Sequence, residues 1–240
     1  MKAAIFDWDG TLAQIDKREL YCINKALQEH GFQPVDHDFY LKNYYMRAYE
    51  LGTGPRMVIE AAMTERKETN VEPVYESYRE AFQKTVEKAE LLTGALELLR
   101  DLKQHGFSPA IATMRYTHWV VEAELKHLHV ALLVKVLFTR EDLGPSRALE
   151  SLKETVDKRA RLVTKALNRL KASPKEAFLV GDSWWDIRAG RQLGIPTVLV
   201  KTGFSQYNDF SQEKPDYMVS SLTDLQQVLE QNNWKLQATA

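Results

Sequence analysis

The chain has 240 residues and a single cysteine, Cys22. One thiol cannot close an internal disulfide or build a cysteine-based zinc site, which excludes stapled secreted scaffolds and zinc modules and fits a reducing, cytoplasmic setting. No apolar run approaches the ~18 residues that a membrane helix needs, so no membrane partner is expected. The first nine positions carry charged and aromatic residues where a secretory apolar segment would stand, and no signal peptide is expected either. Charge of one sign is also missing. With 32 Lys and Arg against 33 Asp and Glu, the net charge is -1, and the chain lacks the global electrostatic footprint of a nucleic-acid binder. The one local basic cluster runs over 158–175 (Lys158, Arg159, Arg161, Lys165, Arg169, Lys171, Lys175). It is interleaved with apolar residues at helical spacing and reads as a solvated helix face. Internal repeats and low-complexity tracts are absent as well.

What is present is globular material, 44% hydrophobic and 27% charged, long enough for one large core or for a core domain with a smaller one. Residues 3–7 (Ala-Ala-Ile-Phe-Asp) form a short apolar run without polar alternation, which suits a strand buried on both faces of a parallel sheet. From Lys17 to about Ala89 the texture becomes amphipathic and helical. Leu20, Ile23 and Leu27 recur at spacings of three and four before Gly31 stops the helix, and Tyr78, Phe82 and Val86 make a second stripe. After "LLTGALELLRDLKQHG" strands and helices alternate. Strands are expected at 110–113, 134–138, 177–180, 197–200 and 217–219, separated by helices at 94–105, 117–128, 158–171, 184–193 and 222–230. Pro109 is expected only at the start of its strand, because it cannot donate a ladder hydrogen bond. The implied fold is an open, mainly parallel, Rossmann-like α/β core (1–14 and 91–240) with a small all-helical insert (15–90) after the first strand.

In such sheets ligands bind beyond the carboxyl ends of the strands. The polar residues expected there are Asp7 and Asp9, Thr113 with Arg115, and Asp182 with Asp186. Carboxylates converging on one edge repel one another unless something neutralises them. A hard divalent cation with oxygen ligands does so, and Mg²⁺ uses few carboxylates together with substrate phosphate. The Thr113 hydroxyl and nearby backbone N–H groups, Met114 among them, would hold phosphate oxygens. Each feature alone has a plainer explanation. Asp is common in turns, and Asp182 and Ser183 would cap the helix near Trp184. Their coincidence at successive strand ends is what points to a site.

These stretches resemble the haloacid dehalogenase superfamily, its phosphoglycolate phosphatase-like branch with a small helical cap. "FDWDGTL" resembles the first family motif, "AIATMR" the second, and "FLVGDSWWDIRAGRQLGIPTVLV" the fourth with its following strand; the likeness covers nearly the whole chain. The resemblance implies that Asp7 attacks phosphorus and that Asp9 protonates the leaving alcohol and then deprotonates water. It implies Mg²⁺ held by Asp7, the main-chain carbonyl of Asp9, and Asp182, with Asp186 supporting metal-bound water and Thr113 bonding a phosphoryl oxygen. Aspartate at position 9 favours phosphoryl transfer over dehalogenation. The third motif departs from the family pattern, since the usual Lys-Pro pair is missing. Lys158, 24 residues before Asp182, is the expected active-site cation, with Lys165 and Lys153 as alternatives.

Within the insert, "YELGTGPRM" (49–57) is the only glycine-rich break, and it resembles a substrate-specificity loop, which singles out Gly52 and Arg56. An ordinary interhelical turn is the plainer alternative. The expected activity is Mg²⁺-dependent hydrolysis of a small phosphorylated metabolite. Phosphoglycolate, a sugar phosphate and a nucleoside monophosphate all fit the core. A sugar phosphomutase and a non-catalytic binding protein are the competing readings.

Overall fold

The computed structural model describes residues 1–47, 49–50, 54–64, 70–145 and 151–238. The chain divides into two compact units, Met1–Gln14 with Glu90–Ala240, and Ile15–Ala89.

The strands all belong to the first unit. In chain order they are β1 (Lys2–Phe6), β2 (Ala13–Gln14), β3 (Glu90–Leu91), β4 (Phe107–Ala112), β5 (Val136–Phe138), β6 (Ala177–Gly181), β7 (Thr197–Val200) and β8 (Tyr217–Val219). The helices are α1 (Asp16–Glu29), α2 (His37–Tyr44), α3 (Pro55–Thr64), α4 (Glu72–Gln83), α5 (Ala95–Gln104), α6 (His118–His127), α7 (Leu152–Leu170), α8 (Trp184–Leu193), α9 (Gly203–Tyr207) and α10 (Leu222–Gln231).

Six strands form one sheet in the order β5-β4-β1-β6-β7-β8, and every pairing in it is parallel. The chain moves outward from β1 through β4 to β5, then crosses back to β6 on the other side of β1. The carboxyl end of β1 therefore lies at the switch point where open sheets of this kind form their crevice. Successive β1 residues feed opposite cores. Ala3 and Ile5 pack with Leu162, Val163 and Ala166 of α7, whereas Ala4 and Phe6 pack with Leu98 and Leu102 of α5 and Val121 of α6. Burial on both faces explains the apolar run without alternation.

Two expectations needed revision here. Pro109 sits inside β4 rather than at its start, opposite Ala4 of β1. Its carbonyl accepts from the Lys135 N–H at 2.7 Å, so its missing N–H faces the same side, where β5 has not yet begun (its pairing starts at Ala110↔Val136). No ladder bond is lost. Helix α7 begins at Leu152, six residues before the expected 158. The Ser151 hydroxyl accepts from the Glu154 N–H and caps it, a Ser-x-x-Glu start.

A two-stranded antiparallel ribbon of β2 and β3 (Ala13↔Leu91, Gln14↔Glu90) joins the points where the chain leaves the sheet unit and returns to it. The second unit contains α1 to α4. On α1, Ile23 and Leu27 are buried as their spacing implies, while Leu20 is only partly covered. The same helix buries Arg18 and Glu19. Glu19 accepts from the hydroxyls of Tyr78 (2.8 Å) and Tyr40 (3.4 Å). Arg18 donates to the Phe82 carbonyl at 2.6 Å and lies over that residue's ring. Two buried charges thus stay satisfied inside this helical unit.

Candidate active site

Asp7 directly follows β1. Its N–H donates to the Val180 carbonyl of β6 at 3.0 Å, which continues the strand pairing by one residue and fixes the side chain at the sheet's edge. One carboxylate oxygen accepts from the Trp8 N–H at 2.8 Å. Asp182 directly follows β6, the neighbouring strand, and Asp186 lies one turn into α8. Oxygens of Asp7, Asp182 and Asp186 fall within 4.8 Å of one another, and all three residues are buried.

Local chemistry holds the cluster in place. Asp182 accepts from the Thr11 hydroxyl (3.2 Å) and the Phe204 N–H (2.7 Å). Asp186 takes the Ser183 N–H and hydroxyl (3.2 and 2.6 Å) on one oxygen, a capping box that starts α8, and the Arg159 Nε–H (2.6 Å) on the other. Each Asp186 oxygen thus accepts at least one hydrogen bond, as each Asp182 oxygen does, and a carboxylate oxygen so engaged keeps a further lone pair. Gly10 makes the turn after Asp9 with φ of +72°, and a Cβ there would lie 2.6 Å from an Asp182 oxygen and 2.9 Å from the Gly203 Cα. Only glycine fits both the left-handed backbone and the close approach.

Electrostatics follow from this crowding. Burial raises the Asp7 pKa from 3.8 to about 7, against the pull of Arg159 and reinforced by Asp186 and Asp9. Asp182 is pushed well above the usual carboxylate range, by burial first and then by Asp7 and Asp186. Three acids beside one guanidinium leave the pocket short of positive charge. Hard oxygen donors, buried and mutually repelling, suit Mg²⁺, and Asp7, Asp182 and Asp186 each offer a carboxylate oxygen to such an ion.

The guanidinium belongs to Arg159, not to any of the three expected lysines. Arg159 is fully buried, and its two terminal nitrogens have no hydrogen-bond partner. Lys158 instead pairs with Glu154 one turn back at 2.6 Å, Lys165 lies over the Phe138 ring, and Lys153 is exposed. Spacing to Asp182 misled by one residue, which is 100° around a helix. The periodicity held the correct signal, since Val156, Arg159, Ala160 and Val163 share the buried stripe of α7. An arginine on that stripe must point inward.

On the other flank of β1, Thr113 follows β4 and is buried, with its N–H donating to the Phe138 carbonyl at 2.9 Å. Met114 comes next, its side chain packed against the α7-side core. The Asp9 carboxylate is gripped by Arg115 through two donors, Nε at 2.9 Å and Nη2. Arg115 also donates through Nη1 to the buried Glu124, which accepts from the Trp8 indole N–H at 2.6 Å. Sequence reasoning did not anticipate this network. Of the two residues singled out in the insert, Gly52 lies outside the described residues. Arg56 binds Glu60 and Glu72, at 2.9 and 2.8 Å, inside its own helical unit.

Residues 4–200 match the family model of haloacid dehalogenase-like hydrolases. The chain is 28% identical over 238 residues to the pyrophosphatase PpaX of Bacillus cereus (strain ATCC 10987 / NRS 248), covering 97% of this chain and 98% of that protein. The Bacillus thuringiensis (strain Al Hakam) PpaX matches to the same extent. Among solved structures, a predicted phosphoglycolate phosphatase from Haemophilus somnus 129pt superposes with a TM-score of 0.76 at 18% identity, over 95% of this chain and 97% of that one. A HAD family hydrolase from Deinococcus radiodurans R1, solved with bound phosphate and sodium, superposes with a TM-score of 0.73 at 17% identity over 99% of both chains. These structural likenesses establish the fold.

Proposed function

Because the chain belongs to the haloacid dehalogenase-like hydrolase family, we propose that it is a Mg²⁺-dependent phosphatase acting on a small phosphorylated substrate through an aspartyl-phosphate on Asp7. The observation that carries this reading is the meeting of Asp7, Asp182 and Asp186 beside Arg159, whose two terminal nitrogens are buried and unpartnered. A buried donor pair without acceptors costs free energy unless a ligand supplies them, and a phosphoryl group offers oxygens in the matching geometry.

Asp7 and Asp182, with the main-chain carbonyl of Asp9, would hold the metal ion. Its contribution when bound is positive charge that offsets the acids and the phosphate oxygens. In the first half-reaction an Asp7 oxygen bonds to phosphorus as the bond to the leaving oxygen breaks, and Asp9 delivers a proton to that oxygen. In the second, Asp9 takes a proton from water, the water oxygen bonds to phosphorus, and the bond to Asp7 breaks, restoring the Asp7 carboxylate and the protonated form of Asp9. Arg159 orients Asp186 through Nε and meets phosphoryl oxygens through its terminal nitrogens, and Thr113 hydrogen-bonds another.

A panel of phosphoglycolate, hexose phosphates, nucleoside monophosphates and inorganic pyrophosphate, assayed for phosphate release with and without Mg²⁺, tests the reading. Pyrophosphate is included because the Bacillus relatives carry that name. Metal-dependent turnover of at least one compound, lost in Asp7→Asn, is the expected result. Isomerisation of hexose 1-phosphates without phosphate release would assign a mutase instead, and no reaction with any compound would leave a binding protein.

A further inference from the structure

Asp182 is gripped by a turn that lies just past the last stretch carrying the family resemblance. Where the chain leaves β7, Thr202–Ser205 folds back over the end of β6 and starts α9. The Phe204 N–H donates to Oδ2 of Asp182 at 2.7 Å, and the Ser205 N–H donates to the main-chain carbonyl of the same residue at 2.9 Å. One short turn thus fixes both the side chain and the backbone of Asp182. The turn is itself tied down. The Thr202 hydroxyl donates to the Gly10 carbonyl, and the Ser205 hydroxyl donates to the Val200 carbonyl. The Phe204 ring meets Trp185 of α8 edge-on, with 5.1 Å between centroids.

Room for this grip comes from Gly203. Its φ is +47°, and a Cβ there would lie 2.0 Å from Oδ2 of Asp182 and 2.8 Å from the Gly10 Cα. Gly10 approaches the same oxygen from the β1 side, so two glycines and an N–H donor enclose Oδ2. A side chain at position 203 would push the carboxylate aside.

We propose that the Thr202–Ser205 turn positions Asp182 for a divalent cation, with Gly203 admitting the carboxylate and Phe204 holding it. The proposal rests on the reading that Asp182 ligates Mg²⁺. Mg²⁺ demands near-ideal octahedral geometry at short distances, whereas Ca²⁺ accepts longer and less regular coordination. A displaced or loosened Asp182 therefore weakens Mg²⁺ binding more than Ca²⁺ binding. A general loss of folded protein would weaken both alike.

Calorimetric titration of the protein with MgCl₂ and with CaCl₂, in the absence of substrate, tests the proposal. Gly203→Ala should weaken Mg²⁺ binding about tenfold or more. Ca²⁺ binding should fall less, moving the ratio of the two affinities toward Ca²⁺ by at least about threefold. Gly194→Ala is the control: its φ of +64° imposes the same kind of strain, but an added Cβ meets nothing within 4 Å. Both affinities should there match wild type. Phe204→Ala keeps the N–H but loses the ring contact with Trp185, and it should shift the ratio in the same direction by a smaller factor. It carries the comparison should Gly203→Ala fail to fold. Equal losses for both metals in Gly203→Ala, or no loss in either turn variant, overturn the proposal. A matching loss in Gly194→Ala also overturns it, because backbone strain alone would then suffice. Asp182→Asn separates the layers. If it lowers Mg²⁺ affinity while the turn variants do not, the turn has no positioning role and Asp182 remains a ligand. If it leaves Mg²⁺ affinity unchanged, or wild type binds no Mg²⁺, the metal reading fails and the proposal with it.

Discussion

Asp7→Asn should make the metal-free protein more stable as well as inactive, and the gain should grow with pH. The folded chain holds the Asp7 proton up to about pH 7, whereas the carboxyl titrates at 3.8 in its ordinary state. Between these values the folded state binds a proton that the unfolded state has released, so stability falls as pH rises through that window, and the loss is complete above it. At ~1.4 kcal/mol for each tenfold change, ionising Asp7 in the folded protein costs about 4 kcal/mol by pH 8, of which about 2 kcal/mol accrues above pH 5.5. Asparagine has nearly the same shape, keeps the acceptor for the Trp8 N–H and never ionises. The variant's advantage over wild type should therefore widen by about 2 kcal/mol between pH 5.5 and pH 8 in EDTA. Urea denaturation followed by tryptophan fluorescence is well suited, since Trp8, Trp119, Trp184, Trp185 and Trp234 all lie in the sheet unit. Added Mg²⁺ at pH 8 should narrow the gap by stabilising wild type. A gap that stays flat or shrinks with rising pH in EDTA would refute the claim that Asp7 is held protonated by burial.

Arg159→Met should lower kcat/KM about 100-fold or more, because it removes a buried donor pair at the reaction centre. Lys158→Met, which removes only a pairing with Glu154, should stay within about threefold of wild type; the reverse order would restore the lysine assignment. Asp182→Asn should weaken Mg²⁺ binding at least about tenfold in calorimetric titration, and unchanged affinity would place the metal elsewhere. Gly10→Ala should destabilise the sheet unit by about 1–3 kcal/mol, since it combines a positive φ with a collision against Asp182. A neutral outcome would mean that the turn has a relaxed alternative.

The strands of the sheet were legible because burial on both faces leaves unbroken apolar runs, and the ends of those runs located Asp7, Thr113 and Asp182. The sequence was less informative where a residue's role depends on rotation or on a distant partner. Choosing Lys158 by its distance along the chain ignored the helical stripe that turns Arg159 inward. Pro109 was judged by a rule for paired strands, although on the side its nitrogen faces β5 begins to pair only at the next residue. Arg115 was visible at a strand end, but Glu124 and Trp8, its supports, read only as helix surface and core.

By itself, then, the order of residues determined an open parallel α/β core, a helical stretch inserted after its first strand, and acids at the strand ends. Those features follow from local periodicity and turn chemistry, which neighbouring residues set together. Which cation faces Asp7 and what grips Asp9 were decided only in the tertiary structure. Each depends on side chains separated by tens of residues or more (27 between Arg159 and Asp186, 106 between Asp9 and Arg115). Such pairs meet only because the sheet brings its strand ends to one edge, and a sequence pattern carries no term for that distance.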